Sequence, residues 1–191
     1  MPDAGAWSEF FDPECIVAKL GCDERSGDVV DFGCGYGIFT IAAARIVRGK
    51  VYALDLDPAM IAATGESARA AGLQNVRAEQ RDFLARGSGR PGGSAGYAML
   101  FNILHLEDPM ALIGEAHRIL APGGKLAVIH WNYDPATPRG PSMAIRPRPA
   151  QCRDWLARGG FAVPGIAPLP CSPHHYGLVG ERLPHARGHA A

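Results

Sequence analysis

The chain has 191 residues, of which 47% are hydrophobic, 24 are Gly and 16 are Pro, enough for one α/β domain with a full core and little beyond it. Lys+Arg and Asp+Glu both number 19, so the formal net charge is zero, and the basic excess of a protein that lives on nucleic acid or anionic membrane is missing. No apolar run approaches the roughly 18–20 residues of a membrane span and Met1 to Phe11 has no apolar signal core, which reads as a soluble, unsecreted, cytoplasmic protein with no membrane partner.

In chain order, the first buried-strand signal is Val29-Val30-Asp31-Phe32, followed by a glycine turn and a helix rich in Ala and Ile. A second strand, Val51-Tyr52-Ala53-Leu54, leads to Asp57-Pro58, an N-cap acceptor before a Pro at the first helical position, and so to a helix from about Pro58 to Ala71. Ala85 to Gly96 (ARGSGRPGGSAG) reads as a flexible surface connection. The strand Tyr97 to Phe101 precedes Asp108-Pro109 and a helix to Leu120, and Leu126 to Trp131 is a further strand after the breaker Pro122-Gly123-Gly124. The Pro-rich stretch Asn132 to Pro149 is too long for a tight connection and is a lid candidate. A helix from Pro149 to Gly159-Gly160, strands at about Phe161 to Pro168 and His175 to Glu181, and a frayed tail from Pro184 complete the reading.

Apolar runs without alternation are buried on both faces, so the pattern predicts a parallel sheet covered by helices on each side, a single doubly wound, Rossmann-like α/β domain over residues 1–183. The five cysteines (Cys15, Cys22, Cys34, Cys152, Cys171) are odd in number and form no C-x-x-C, so neither a disulfide framework nor a zinc site is expected and a reducing compartment is the default.

The most informative stretch is Asp31-Phe32-Gly33-Cys34-Gly35-Tyr36-Gly37 between strand and helix. Glycines there let backbone N–H groups approach a ligand, and the helix N-terminus favours negative charge. The third glycine falls one place early for the dinucleotide pattern G-x-G-x-x-G, and no P-loop Lys-Ser/Thr follows. The second strand ends in Asp55, where an acidic residue can accept both hydroxyls of a ribose.

The run VVDFGCGYG, then VYALDLDP, FNILHLEDP and EAHRILAPGGKLAVIHW, resembles the class I S-adenosylmethionine-dependent methyltransferases over about residues 28–131, most nearly the small-molecule group called type 11. The resemblance implies a seven-stranded, mostly parallel sheet with an antiparallel last strand, and S-adenosylmethionine as cofactor. Position by position, it implies that Asp31, Gly33, Gly35 and Gly37 cradle the methionine half, that Asp55 holds the ribose and that Leu56 lies against the adenine. Asp82, after a short third strand at about Val76 to Gln80, would read the adenine amino group with Phe83 beside it, and Asn102 would face the methionine end. The Gly-rich Ala85 to Gly96 segment departs from relatives that carry an acidic residue before the fourth strand, which puts a local helix there in question.

Methyl transfer from a sulfonium needs alignment, water exclusion and, for a protonated nucleophile, a base. Strand ends offer Asn102, His105, His130 and Trp131, and an antiparallel last strand would add Cys171, His174, His175 and Tyr176. His105 and His130 are the base candidates, because imidazole titrates near neutrality. The alternatives are a His105 that packs or caps the next helix and a His130 that is a hydrogen-bonded strand end. Adjacent His174 and His175 point to opposite faces of a strand, so no metal site is expected. Arg139, Arg146 and Arg148, with Arg153 and Arg158 beyond, could hold a carboxylate or phosphate, or form a solvated basic face in a chain with 16 Arg. Trp7 to Phe11 could fold over the cofactor or be a turn of packing helix.

The leading function is therefore methyl transfer by in-line displacement to a small molecule, with the local arginines leaving an anionic one open, no nucleic-acid partner expected and a homo-oligomer allowed. The competing readings are a methyltransferase acting on RNA, DNA or protein, a nicotinamide-dependent oxidoreductase, and a cofactor-binding scaffold without catalysis.

Overall fold

The computed structural model describes residues 12–167 and 169–183. Trp7 to Phe11, Pro168 and the expected tail from Pro184 lie outside the described residues. The strands are β1 (Val29–Phe32), β2 (Val51–Asp55), β3 (Val76–Gln80), β4 (Ala95–Phe101), β5 (Leu120–Trp131), β6 (Phe161–Ala162), β7 (Ile166–Ala167) and β8 (His175–Arg182). They form one sheet in the order β3-β2-β1-β4-β5-β8-β6, with β7 also on β8. The first five strands are parallel, and β8 runs antiparallel to β5 from Lys125 to Trp131. The single strand expected at Phe161 to Pro168 is two short pieces, β6 and β7, separated at Val163–Gly165, where Pro164 has no N–H to give a ladder.

The helices are α1 (Pro13–Lys19), α2 (Ile38–Ile46), α3 (Pro58–Ala70), α4 (Phe83–Arg86), α5 (Pro109–Ile119) and α6 (Pro149–Arg158). Four of them start in the same way: the carboxylates of Asp12, Asp57, Asp82 and Asp108 accept the N–H of Cys15, Ala59, Ala85 and Ala111. Alternate strand residues feed two cores. Val30, Phe32, Leu100 and Val128 pack with Ile113 of α5 and Leu156 of α6. Val29, Met99 and Ile129 pack on the other face with Ile16 of α1 and Ala43 of α2. Helices on both faces of a mostly parallel sheet make this the doubly wound class.

Two expectations are overturned. The Ala85 to Gly96 segment begins in the last two residues of the one-turn helix α4 and is held by a polar network. Glu115 of α5 accepts the N–H and the hydroxyl of the wholly buried Ser88, both at 2.6 Å, and receives Nε and Nη2 of Arg118 at 2.7 Å. Arg118 also donates to the Arg90 carbonyl, and Arg90 pairs with Glu79 at 2.9 Å and lies 4.4 Å over the Tyr52 ring. These partners are 11 to 28 residues away in sequence, so Gly-rich composition concealed them. Burial opposes the charge on Glu115, but the Arg118 and Ser88 hydrogen bonds outweigh it and hold its pKa at about 2, below the usual 4.5. Its stabilising contribution is therefore present above pH 4.5 and lost as the pH falls toward 2. Glu115→Gln should cost about 1–3 kcal/mol in urea unfolding at pH 7, with the difference from wild type shrinking in acid; an equal difference at both pH values would contradict the network.

The second correction concerns the cysteines. Cys15 of α1 and Cys171 of the loop before β8 form a disulfide across 156 residues, with Cα atoms 6.2 Å apart. The Asp12 N–H also donates to the Cys171 carbonyl at 3.3 Å, so the start of α1 is docked on that loop by chain geometry. Spacing in sequence carries no trace of this approach. The bond removes the argument from cysteine usage to a reducing compartment. Cys22, Cys34 and Cys152 are unpaired with each other and buried. Among the described residues, no helix is long and apolar enough to cross a membrane.

Candidate functional site

Strand order reverses at β1, which lies between β2 and β4, and ligands of open α/β sheets bind at the carboxyl ends of strands beside such a reversal. A cavity of about 770 Å³ opens there, within the roughly 300–1,000 Å³ common for small-molecule sites. Of the residues singled out in the sequence, Asp31, Gly33, Gly35, Asp55, Leu56, Asp82, Phe83, Asn102 and His105 line it.

Asp31 is the penultimate residue of β1 and is 2% exposed, with the Thr40 hydroxyl donating to it at 2.6 Å. Burial raises its pKa to about 7 despite that hydrogen bond, and the Asp55 charge adds to the rise. Asp55 accepts the Gly35 N–H at 2.9 Å and the Asp57 N–H at 3.0 Å, which aims its carboxylate across the mouth of the glycine turn. Leu56 is 63% exposed beside it, an apolar surface left uncovered. Asp82 caps α4 while facing the cavity, and Phe83 packs edge-on against Phe32 with centroids 5.4 Å apart.

Asn102 follows β4 with φ of 53°, the one non-glycine with positive φ among the described residues, a conformation Asn tolerates better than most. Its N–H reaches the Ile129 carbonyl at 2.9 Å, while its Oδ1 is buried without a hydrogen-bond partner. A buried acceptor left unsatisfied is costly unless a ligand donates to it. At Gly33, with φ of 76°, an added Cβ would lie 2.7 Å from Ile103 Cδ1; at Gly35, with φ of 54°, it would meet nothing within 4 Å. At Gly35 the turn thus presents bare backbone to open space, and the donor and acceptor set fits a nucleoside joined to an amino acid.

Gly37 is a correction to the cradle. It does not line the cavity; it precedes α2 with φ of 78°, and a Cβ there would lie 2.8 Å from Thr64 Oγ1. Glycine is needed at that position for α2 to pack on α3. His130 is a second correction. It is wholly buried and absent from the cavity wall, with its Nε2 3.4 Å from Nδ1 of His105, the histidine that does line the cavity. The candidates at the start of β8, Cys171, His174, His175 and Tyr176, do not line the cavity. Cys171 is in the disulfide, His175 bonds to Ser172 at 2.9 Å and packs 4.1 Å from the Trp131 ring, and Tyr176 stacks on His130 at 6.3 Å.

The loop after β5 divides its arginines between two roles. Arg146 is 7% exposed and donates to the carbonyls of Asn132, Asp134, Arg139 and Pro141 and to the Thr137 hydroxyl, so it organises the loop and is not offered to a ligand. Arg148 lies 3.7 Å over the Tyr133 ring. Arg139, with Gly140 and Pro141, reaches the cavity wall beside Trp131. An added Cβ on Gly140 would lie 2.7 Å from Trp131 Cγ, so glycine lets the loop rest on the indole. Arg153 and Arg158 do not line the cavity. Sequence reasoning missed Phe39 and Phe101, whose rings meet edge-on at 4.8 Å to form an aromatic wall, because their spacing is that of ordinary core. Among the described residues, no group of three or more potential ligands is placed to hold a metal ion.

Comparison with known proteins agrees with this geometry. The family described as methyltransferase domain matches residues 29–124. A ribosomal protein L11 methyltransferase of Methylococcus capsulatus is 36% identical over 118 residues, covering 60% of this chain and 36% of that relative. The chain spans well under half the length of the curated relatives it matches first. In fold it is similar to a SAM-dependent methyltransferase from Aquifex aeolicus, with a TM-score of 0.82 at 23% identity over 95% of both chains. It is also similar to the [4+2]-cyclase SpnF, with a TM-score of 0.74 at 16% identity, covering 90% of this chain and 80% of that one, so the fold by itself does not name the reaction. With half of its length matched, the chain belongs to the methyltransferase domain family, and its fold is similar to that of the solved SAM-dependent methyltransferase.

Proposed function

We propose that the protein transfers a methyl group from S-adenosylmethionine to a small molecule bearing a negative charge. The observation that carries this reading is the convergence on one cavity of Asp31, the Gly33–Gly35 turn, Asp55 and the partnerless Oδ1 of Asn102. In this reading Asp31 and Asn102 receive the α-ammonium end, Asp55 accepts the ribose hydroxyls, Leu56 and Phe83 flank the adenine, and Asp82 reads its amino group. The cofactor supplies a methyl carbon already activated by positive charge. What remains for the chain is to align the acceptor, keep water out and take a proton.

Trp131, Phe39 and Phe101 give the acceptor an apolar wall, and Arg139, at the loop edge of the same cavity, brings a positive charge near a carboxylate or phosphate. His105 is the base: it lines the cavity, and burial keeps its pKa below the usual value, so it is unprotonated and able to accept at neutral pH.

Asp31 supplies a test of the cofactor pose. With a pKa of about 7 in the unliganded chain, it is about half protonated at pH 7, and an α-ammonium beside it favours the carboxylate. Binding should then release about half a proton at pH 7, and affinity should rise as the pH passes upward through 7. Calorimetry in buffers of different ionisation enthalpy measures this, and the release should vanish in Asp31→Asn. Identical proton release in the two proteins would remove Asp31 from the pose.

The acceptor is tested by incubating the chain with methyl-labelled cofactor and cell extract, then fractionating by size and charge. Label is expected in small, anionic species. A second reading, a protein acceptor, is favoured by the ribosomal protein L11 named for the 36% identical relative, and label in protein would establish it instead. No labelled product of any size would favour a scaffold.

A further inference from the structure

His105 and His130 form a pair whose parts differ in kind. His105 is half-buried and lines the cavity, whereas His130 of β5 is fully enclosed. Their rings meet edge-on, centroids 5.5 Å apart, with Nδ1 of His105 facing Nε2 of His130 at 3.4 Å. Since Nδ1 of His105 is turned inward, the ring edge left for the cavity is the one that carries Nε2. Each neutral imidazole has one N–H, so which ring donates across this contact decides what His105 presents to a ligand.

Resting on the methyl-transfer reading of the cavity, we propose that His130 is a positioning residue, which accepts the Nδ1–H of His105 and thereby keeps the Nε2 lone pair of His105 open to the acceptor. The alternative arrangement has His130 donating through Nε2. It would put the proton of His105 on Nε2, where it could no longer take another, and would leave Nδ1 of His130 a buried acceptor with no donor. In the proposed arrangement Nδ1 of His130 carries the proton instead. That atom makes no full hydrogen bond, but the Trp131 backbone interacts with His130 in the sense that favours a proton.

The surroundings keep His130 neutral. Burial comes first, then the neighbouring His105 and the Arg146 guanidinium of the loop after β5, and together they bring its pKa to about 3. His175 of β8 also faces it and is lowered to about 3 by burial and then by His130, His174 and Arg146, while the Tyr176 ring stacks on His130. His130 thus remains an acceptor when His105 becomes charged. In the transfer step a lone pair of the acceptor atom forms the bond to the methyl carbon, and the old bond to sulfur breaks with its electron pair left on sulfur. The proton on the acceptor atom passes to Nε2 of His105. The resulting imidazolium donates Nδ1–H to His130 in a charge-assisted hydrogen bond and later loses its new proton to water.

The test is spectroscopic and needs no methyl acceptor. In the full chain labelled with ¹⁵N-histidine, two-bond correlation spectra report which ring nitrogen carries the proton. His105 is expected as the Nδ1–H tautomer with a bare Nε2, and His130 is expected to stay neutral down to about pH 4. His130→Phe, which keeps a ring but removes the acceptor, should convert His105 to a mixture rich in Nε2–H. His130→Gln, whose amide oxygen can accept, should restore the wild-type tautomer. An Nε2–H tautomer of His105 in the wild type would overturn the proposal, even if neither variant folded, and so would an unchanged tautomer in His130→Phe. S-adenosylmethionine binding is read separately by calorimetry, so a failure of the cofactor reading would not be mistaken for a failure of this one.

Discussion

Asp55→Ala is expected to weaken S-adenosylmethionine binding about a hundredfold while leaving the fold intact. A ribose diol donates two hydrogen bonds to one carboxylate, and hydrogen bonds to charged groups contribute about 1.5–3 kcal/mol each. Losing both at the low end is about 3 kcal/mol, and 1.4 kcal/mol is tenfold in affinity. The structural cost is smaller. In the unliganded chain Asp55 is partly exposed and accepts only the Gly35 and Asp57 N–H groups, so its removal should lower stability by about 1 kcal/mol. Asp55→Asn keeps the shape and one acceptor and should fall between alanine and wild type. Calorimetric titration gives the affinities, and urea unfolding gives the stability. An affinity unaltered in Asp55→Ala would remove this residue from the site.

The second large effect concerns the Cys15–Cys171 bond. A cross-link stabilises chiefly by restricting the unfolded chain, and closing 156 residues corresponds to as much as about 5 kcal/mol in the chain-entropy picture, with about 2–5 kcal/mol typical for loss of a native disulfide. At about 2–4 °C per kcal/mol for a chain of this size, reduction or the double change Cys15→Ser with Cys171→Ser should lower Tm by about 5–20 °C. Reductant should have no further effect on the double variant. The three remaining cysteines are buried and supply the internal control: reductant must act through this pair alone. A wild-type Tm indifferent to reductant would contradict the assignment. Because the bond ties α1 to the loop that leads into His175 and Tyr176, its loss should also loosen the packing behind Trp131 and His130.

Much of this architecture is legible in the chain because its signals are local. Parallel strands are covered on both faces, so β1, β2, β4 and the later part of β5 are near-continuous apolar runs. Asp57-Pro58 and Asp108-Pro109 mark two helix starts without help from the rest of the fold. The glycine turn and Asp55 are likewise fixed by strand ends, and they meet because the register places Phe32 beside Leu54. What the chain conceals is set by contacts distant in sequence. Glu115 and Arg118 order a segment that composition alone reads as loose, and Cys15 finds Cys171 only when β8 folds back against β5. Arg146 and Arg139 are alike as letters, yet one is consumed by carbonyls within the loop and the other reaches the cavity. Gly37 and His130 show the same limit, since depth within the fold, and not residue type, decides that one packs helices and the other stands behind His105.

The account turns on the cavity being built for a sulfonium nucleoside and not for a dinucleotide. Calorimetric titration of the full chain with S-adenosylmethionine and, separately, with NAD tests this most directly. The geometry of Asp31, Asp55 and Asn102 predicts one S-adenosylmethionine bound per chain and no measurable heat with NAD. Tight binding of NAD with none of S-adenosylmethionine would contradict it.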